Sequence, residues 1–217
     1  MSSKSVLIYR GIVLALAVGY CIRTLVFADF TQFAGPFRYL TIWALFLSAF
    51  AASRMMAYSL GRTDNRADGF VGAVAVINAM VVYLYWRLYF NDPMSVTQNG
   101  ELGRWWLEYY MHGLGPLLQW IDVLIIHKSI RRPAVSGAWL VGIIALYVSW
   151  TELVIRPLAT DPVGTVTSGL PYRFLNNMEL PQRAEFYGMN FAMALVLLAV
   201  FWAIAWGVRR LRPPAAP

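Results

Sequence analysis

The stretch "LEYYMHGLGPLLQWIDVLII", residues 107–126, is apolar enough to lie inside a membrane, yet it carries Glu108, His112 and Asp122. Charge in hydrocarbon is costly, so ionisable groups persist there when they are paired or when they work. Read as a helix at about 100° per residue, the stretch places Glu108, His112, Gly115, Gln119 and Asp122 on one polar stripe facing the interior of a bundle. Gly115 leaves room for a close neighbour, and Pro116 predicts a kink near His112.

The rest of the chain agrees with a membrane setting. Of 217 residues, 59% are hydrophobic and 13% charged, with a mean hydropathy of +0.54. A soluble domain needs more polar surface than this. One crossing of a bilayer core takes roughly 20 apolar residues, and six such runs are legible: about 6–28, 37–60, 69–91, 106–129, 137–157 and 186–209. They are continuous, not alternating, which argues against a closed β-barrel. No small-residue cleavage site follows the first run, which reads as a retained span. The expected fold is a single all-α integral membrane domain with six transmembrane helices and one long outer loop, about 158–185.

Lys and Arg set the expected orientation. Lys4, Arg62, Arg66, Lys128, Arg131, Arg132, Arg209, Arg210 and Arg212 fall on one side, against Arg38, Arg104, Arg173 and Arg183 on the other. Both termini are therefore expected in the cytoplasm, in a bacterial inner membrane. The net charge of +7 follows from this bias. Its scatter over short loops argues against a nucleic-acid partner. Cys21 is the only cysteine, so no intramolecular disulfide can form.

Depth at about 1.5 Å per residue places Thr41, Glu108, His112, Arg23, Arg87, Glu152, Arg156 and Asn190 in the outer half of their spans. A polar chamber opening outward accounts for such a layer. Several of these residues also have plainer readings. Glu152 and Arg156 are spaced for an ion pair, Arg10 and Arg54 for snorkelling anchors near the cytoplasmic face. His127 reads as interfacial, and a lone Thr41 as a hydroxyl bonded back to its own helix. The only histidines, His112 and His127, lie on one helix roughly 22 Å apart by helical rise, too far to share a haem or a metal. No Walker loop, GxSxG elbow or dinucleotide fingerprint is present, and no cofactor is expected. What remains is a hydroxyl nucleophile with a histidine base, or, in another class, a non-catalytic transporter, lipid-binding module or accessory subunit built on the same interior charges.

Three patches together resemble one family. "FRYLTIW" (37–43) resembles the Tyr-Leu-Thr signature of the androgen-induced gene protein family, which includes the androgen-dependent TFPI-regulating protein and bacterial six-helix members. "HGLGPLLQWID" (112–122) is similar to its His, Pro and Asp pattern, and "PYRFLN" (171–176) to its outer-loop motif. The resemblance implies a multipass threonine hydrolase of fatty-acid esters of hydroxy fatty acids, with Thr41 as nucleophile and His112 as base. Trp43 and Ala44 stand where relatives commonly carry polar residues, and Arg173 stands in place of a proline. On this reading Glu108 or Glu152 orients the imidazole, Asn190, Tyr172 or a backbone N–H serves the oxyanion, and Arg23 or Arg87 pairs the carboxylate of an amphiphilic lipid ester. An acyl group passed from Thr41 to an acceptor other than water is the transferase variant.

Overall fold

A computed structural model describes residues 3–97 and 100–211. Arg212 of the basic tail lies outside them. The described residues form no strand beyond one isolated bridge between Val163 and Ser168. Among the described residues nine α-helical pieces make up the bundle: α1 (Ser3–Phe27), α2 (Leu40–Ser59), α3 (Asp68–Asn91), α4 (Trp105–Tyr109), α5 (Gly115–Trp120), α6 (Pro133–Ser149), α7 (Arg156–Leu158), α8 (Arg173–Asn176) and α9 (Leu180–Leu211). Among the described residues five helices are long and apolar enough to cross a membrane: α1, α2, α3, α9, and the run Pro133–Leu158 that contains α6 and α7.

The centre is α3. Of its most apolar window 72% is buried, against 22% for α1 and α9. Its run "VGAVAVINAMVV" is apolar on every side save for Asn78, and a helix with no polar face belongs inside. Small residues let its neighbours come close: a methyl group on Gly72 would meet Ile130 Cγ1 at 2.6 Å and Ser136 Oγ at 2.9 Å. Around it α2, α5, α6 and α9 pack. α1 leans on α2 through a narrow stripe of Arg10, Val13, Ala17, Cys21 and Thr24. Its remaining faces show Ile12, Ile22 and Phe27 at 56%, 56% and 74% exposure, which is untenable in water over such a length and normal against lipid.

Polar side chains in the bundle are spent on one another. Asn78 on α3 donates to Ser48 Oγ and to Gln119 Oε1, both at 2.9 Å, and Gln119 returns a bond to the Ser48 carbonyl at 2.9 Å. This clasp ties α2, α3 and α5 and uses the Gln119 position of the predicted stripe. Asp122, from the same stripe, accepts two bonds from Arg10, at 2.8 and 2.7 Å. Arg10 also reaches the Met55 carbonyl at 3.0 Å, Ser59 Oγ and His127 Nδ1.

Two expectations are thereby corrected. Arg10 is no snorkelling anchor: only 4% exposed, it is a buried cation whose carboxylate comes from a segment 112 residues away. His127 is not interfacial either. It is 4% exposed, with Nε2 on the Arg66 carbonyl at 3.0 Å and near Asp68 at 3.3 Å. Arg66 and Arg209 bond to carbonyls of residues 127–129. The start of α1, the ends of α2 and α9 and the start of α3 thus meet at one face of the bundle.

The expected fourth span, 106–129, is helical but broken. α4 and α5 are joined by a π turn, Tyr110–Leu114, and a second π turn, Ile121–Ile126, follows. Pro116 has no N–H to give the carbonyl of His112 four residues earlier. That carbonyl instead accepts the Trp86 indole N–H from α3 at 2.8 Å. The last helix starts at Leu180, six residues before the expected 186, because the tail of the predicted outer loop is helical.

Candidate active site

A 3₁₀ turn, Gly35–Arg38, with Pro36 near its start, delivers the chain to Tyr39, which is extended (φ −97°, ψ 134°) and precedes α2. Thr41 is consequently the second residue of a helix whose first N–H groups have no acceptor inside it. Trp43 steadies this entry by donating its indole N–H to the Phe37 carbonyl at 2.9 Å, and Trp150 does the same at 3.1 Å. Tyr147 holds the Arg38 carbonyl at 3.0 Å. The apolar residues that depart from the family pattern therefore have uses: Trp43 anchors the turn and Ala44, 2% exposed, packs in the core.

Across the cavity, His112 sits in the π turn with non-helical torsions (φ −110°, ψ 21°). That sparsely populated region is common where a side chain must be aimed. Its Nε2 lies 3.3 Å from Thr41 Oγ1. Its Nδ1 lies 3.2 Å from Glu108 Oε2, off the in-line direction of a hydrogen bond. The ring of Tyr85 stacks on the imidazole, centroids 3.5 Å apart and planes within 5°. With backbone, one ring face and both nitrogens contacted, and 5% exposure, the imidazole has little freedom to turn. Glu108 precedes His112 by four residues, the spacing at which side chains of one helix meet.

Thr41, Glu108 and His112 open into a cavity of about 670 Å³. Its walls are largely apolar, from Leu84, Leu88, Ile144, Phe186 and Phe191 among others. The charged residues among those lining it are Glu108, Asp161 and Arg173. A cavity of this size and character suits one elongated amphiphile.

The other predicted positions divide. Tyr172 and Asn190 line the cavity. Tyr172 meets Tyr39 edge-on at 5.8 Å, and burial pushes its phenol up to about 12. Asn190 donates to the Phe186 carbonyl of its own helix at 2.7 Å. Glu152 does not line the cavity and does not orient His112. It takes Arg183 Nε at 2.9 Å, Tyr187 Oη at 3.0 Å and Arg156 at 3.2 Å, joining the π turn Trp150–Ile155 that follows α6 to α9. Arg23 and Arg87 are also absent from the lining. Their guanidinium groups lie over the rings of Trp106 at 5.2 Å and Tyr83 at 5.8 Å, which is what long cationic side chains do beside interfacial aromatics. α1 contributes nothing to the chamber, contrary to a layer fed by every span.

Three contributors were not legible beforehand. Tyr85 reads as one more aromatic in an aromatic-rich run. Thr151, 1% exposed with its hydroxyl unpartnered, lines the cavity from beside a glutamate that draws the eye. Asn176, fully buried, organises the outer loop by donating to the carbonyls of Pro162 and Leu170, both at 2.9 Å. Gly164 is needed there, since a methyl group on it would meet Asn176 Cβ at 2.4 Å.

Fold and site together define a class: a helical, multi-pass type of membrane protein with a hydroxyl–imidazole pair inside an apolar chamber. The chain belongs to the FAR-17a/AIG1-like protein family, whose pattern matches residues 6–206. Neither the curated proteins nor the solved structures compared with it contain a match.

Proposed function

We propose that this protein is a membrane-embedded lipid ester hydrolase with Thr41 as nucleophile and His112 as base. The observation that carries this reading is the 3.3 Å approach of Thr41 Oγ1 to His112 Nε2 within a cavity of about 670 Å³. A hydroxyl is a poor nucleophile until a base within reach takes its proton, and such pairs often sit slightly loose before substrate binds.

Thr41 Oγ attacks the ester carbonyl carbon as its proton passes to His112 Nε2. The Glu108 carboxylate beside Nδ1 stabilises the imidazolium that forms. The carbonyl oxygen becomes an oxyanion at the positive end of α2, where the N–H of Thr41 itself and the Tyr172 hydroxyl are the candidate donors. As the tetrahedral centre collapses, the alcohol leaves with the proton held by His112, and the acyl group stays on Thr41. Water, deprotonated by His112, repeats the sequence and releases a fatty acid.

The substrate class is an amphiphilic ester, with fatty-acid esters of hydroxy fatty acids favoured by the family resemblance. Arg173 is better placed than Arg23 or Arg87 to meet a free carboxylate, because it lines the cavity and they do not. In this reading the broken run 105–126 is a sixth crossing. The face rich in Arg is cytoplasmic and carries both termini, and the chamber opens on the other side of a bacterial inner membrane.

Thr41→Ala and His112→Ala should each abolish hydrolysis of a panel of lipid esters while the purified proteins remain monodisperse. Covalent labelling by a fluorophosphonate probe should vanish with Thr41→Ala. Wild-type turnover in either variant, or labelling that survives loss of Thr41, would overturn the assignment.

A further inference from the structure

A second lipid-sized feature lies outside the chamber and shares no lining residue with it. At the face where α2 ends and α3 and α6 begin, a pocket of about 440 Å³ is lined by Arg66, Arg131, Arg132 and Asp68. It runs into a groove of about 590 Å³ between α2 and α6, the two sharing Asn65, Ala67, Phe70 and Trp139. Trp43, Phe46, Leu47 and Phe50 make the groove apolar, and Arg54 stands at its polar end.

The charges are lopsided: four guanidinium groups, those of Arg54, Arg66, Arg131 and Arg132, face one carboxylate. Asp68 is already shared by Arg66 at 3.3 Å and Arg131 at 3.7 Å. The side chains of Arg54 and Arg132 have no hydrogen bond or ion pair among the described residues. The groove has a telling length. From Trp43 to Arg54 the helix rises roughly 16 Å, about half of a 30 Å bilayer core and hence one leaflet of hydrocarbon.

We infer that this is a binding site for an anionic phospholipid, with the headgroup phosphate among Arg54, Arg66, Arg131 and Arg132 and one acyl chain in the groove. Charge complementarity selects the headgroup, since basic pockets between membrane helices attract anionic lipid. The groove's depth selects a lipid over free phosphate. The exposed rings of Phe50 and Trp139, at 57% and 50%, lie against the chain. The site is separate from the catalytic reading and stands or falls without it.

Native mass spectrometry of the purified chain with phosphatidylglycerol and phosphatidylcholine of identical acyl chains tests it. Phosphatidylglycerol should be retained preferentially, and Arg54→Ala with Arg132→Ala should lower that retention about tenfold or more. Arg54→Lys with Arg132→Lys should keep most of it, which separates lost charge from lost folding. Thr41→Ala should leave it unchanged. Equal retention of both lipids, or wild-type retention in the double alanine variant, would overturn the proposal. So would competition by inorganic phosphate or glycerophosphate at lipid-equivalent concentration, which would reduce the site to a phosphate pocket without a use for the groove.

Discussion

His112 is held by groups that leave its Nε2 edge as the side facing reactive chemistry. Tyr85 covers a ring face at 3.5 Å, Trp86 pins the backbone carbonyl, and Glu108 Oε2 stands 3.2 Å from Nδ1. Glu108 acts through the imidazole, so its contribution belongs in the chemical step. Glu108→Gln keeps the shape and removes the charge that stabilises the imidazolium. It should lower kcat by about a hundredfold with little change in KM, measured under steady-state conditions on one ester. Equal loss in KM would mark Glu108 as a substrate-binding group instead. Thr41 and His112 themselves were named from short motif resemblances; their spacing of 71 residues carries no information on contact. Arg10 and His127 differ from their expected settings for a related reason: distance to a helix end gives a depth, and it carries no sign of a partner such as Asp122, 112 residues off.

At the scale of the element, the decisive irregularity is the helical run 105–126. Pro116 was legible as a kink, but a proline alone does not say which way the helix bends or what takes the freed carbonyl. The answer lies on α3, in the indole of Trp86. Pro116→Ala would supply an N–H to compete for the His112 carbonyl, removing a helix defect worth about 3 kcal/mol and drawing His112 out of its non-helical torsions. Hydrolysis should fall at least about tenfold, the cost of misplacing a base by a fraction of an ångström, while the thermal midpoint stays level or rises. Unchanged turnover would show that the π turn does not aim the imidazole. The run 105–126, which carries Glu108, His112, Gln119 and Asp122, is the one of the six expected that does not stand among the five long apolar helices of the described residues; Pro133–Leu158 does, although it contains a π turn at Trp150–Ile155. The straight helices α1, α2, α3 and α9 have no such breaks and were legible within a few residues, save for the early start of α9.

For the molecule as a whole, two polar ties at different depths hold the bundle: the Asn78–Ser48–Gln119 clasp and the Arg10–Asp122 pair. A buried ion pair is a poor source of net stability, yet breaking one partner strands the other. Asp122→Ala should therefore cost about 3–5 kcal/mol, read as a lower thermal midpoint in detergent. Arg10→Met combined with Asp122→Leu should recover most of it. If Asp122→Ala alone were neutral, Arg10 would have another route to water. The bundle's plan also bears on how it is made. α3, the most enclosed helix, is third in the order of synthesis, while three of the helices that enclose it, α5, α6 and α9, emerge after it. Until they arrive, the amide of Asn78 has Ser48 but not yet Gln119, and a helix suited to an interior has lipid on several sides. Assembly must then finish at the carboxyl end, and a ribosome stalled before α9 would leave a membrane-inserted fragment marked for removal by the exposed flank of its own core.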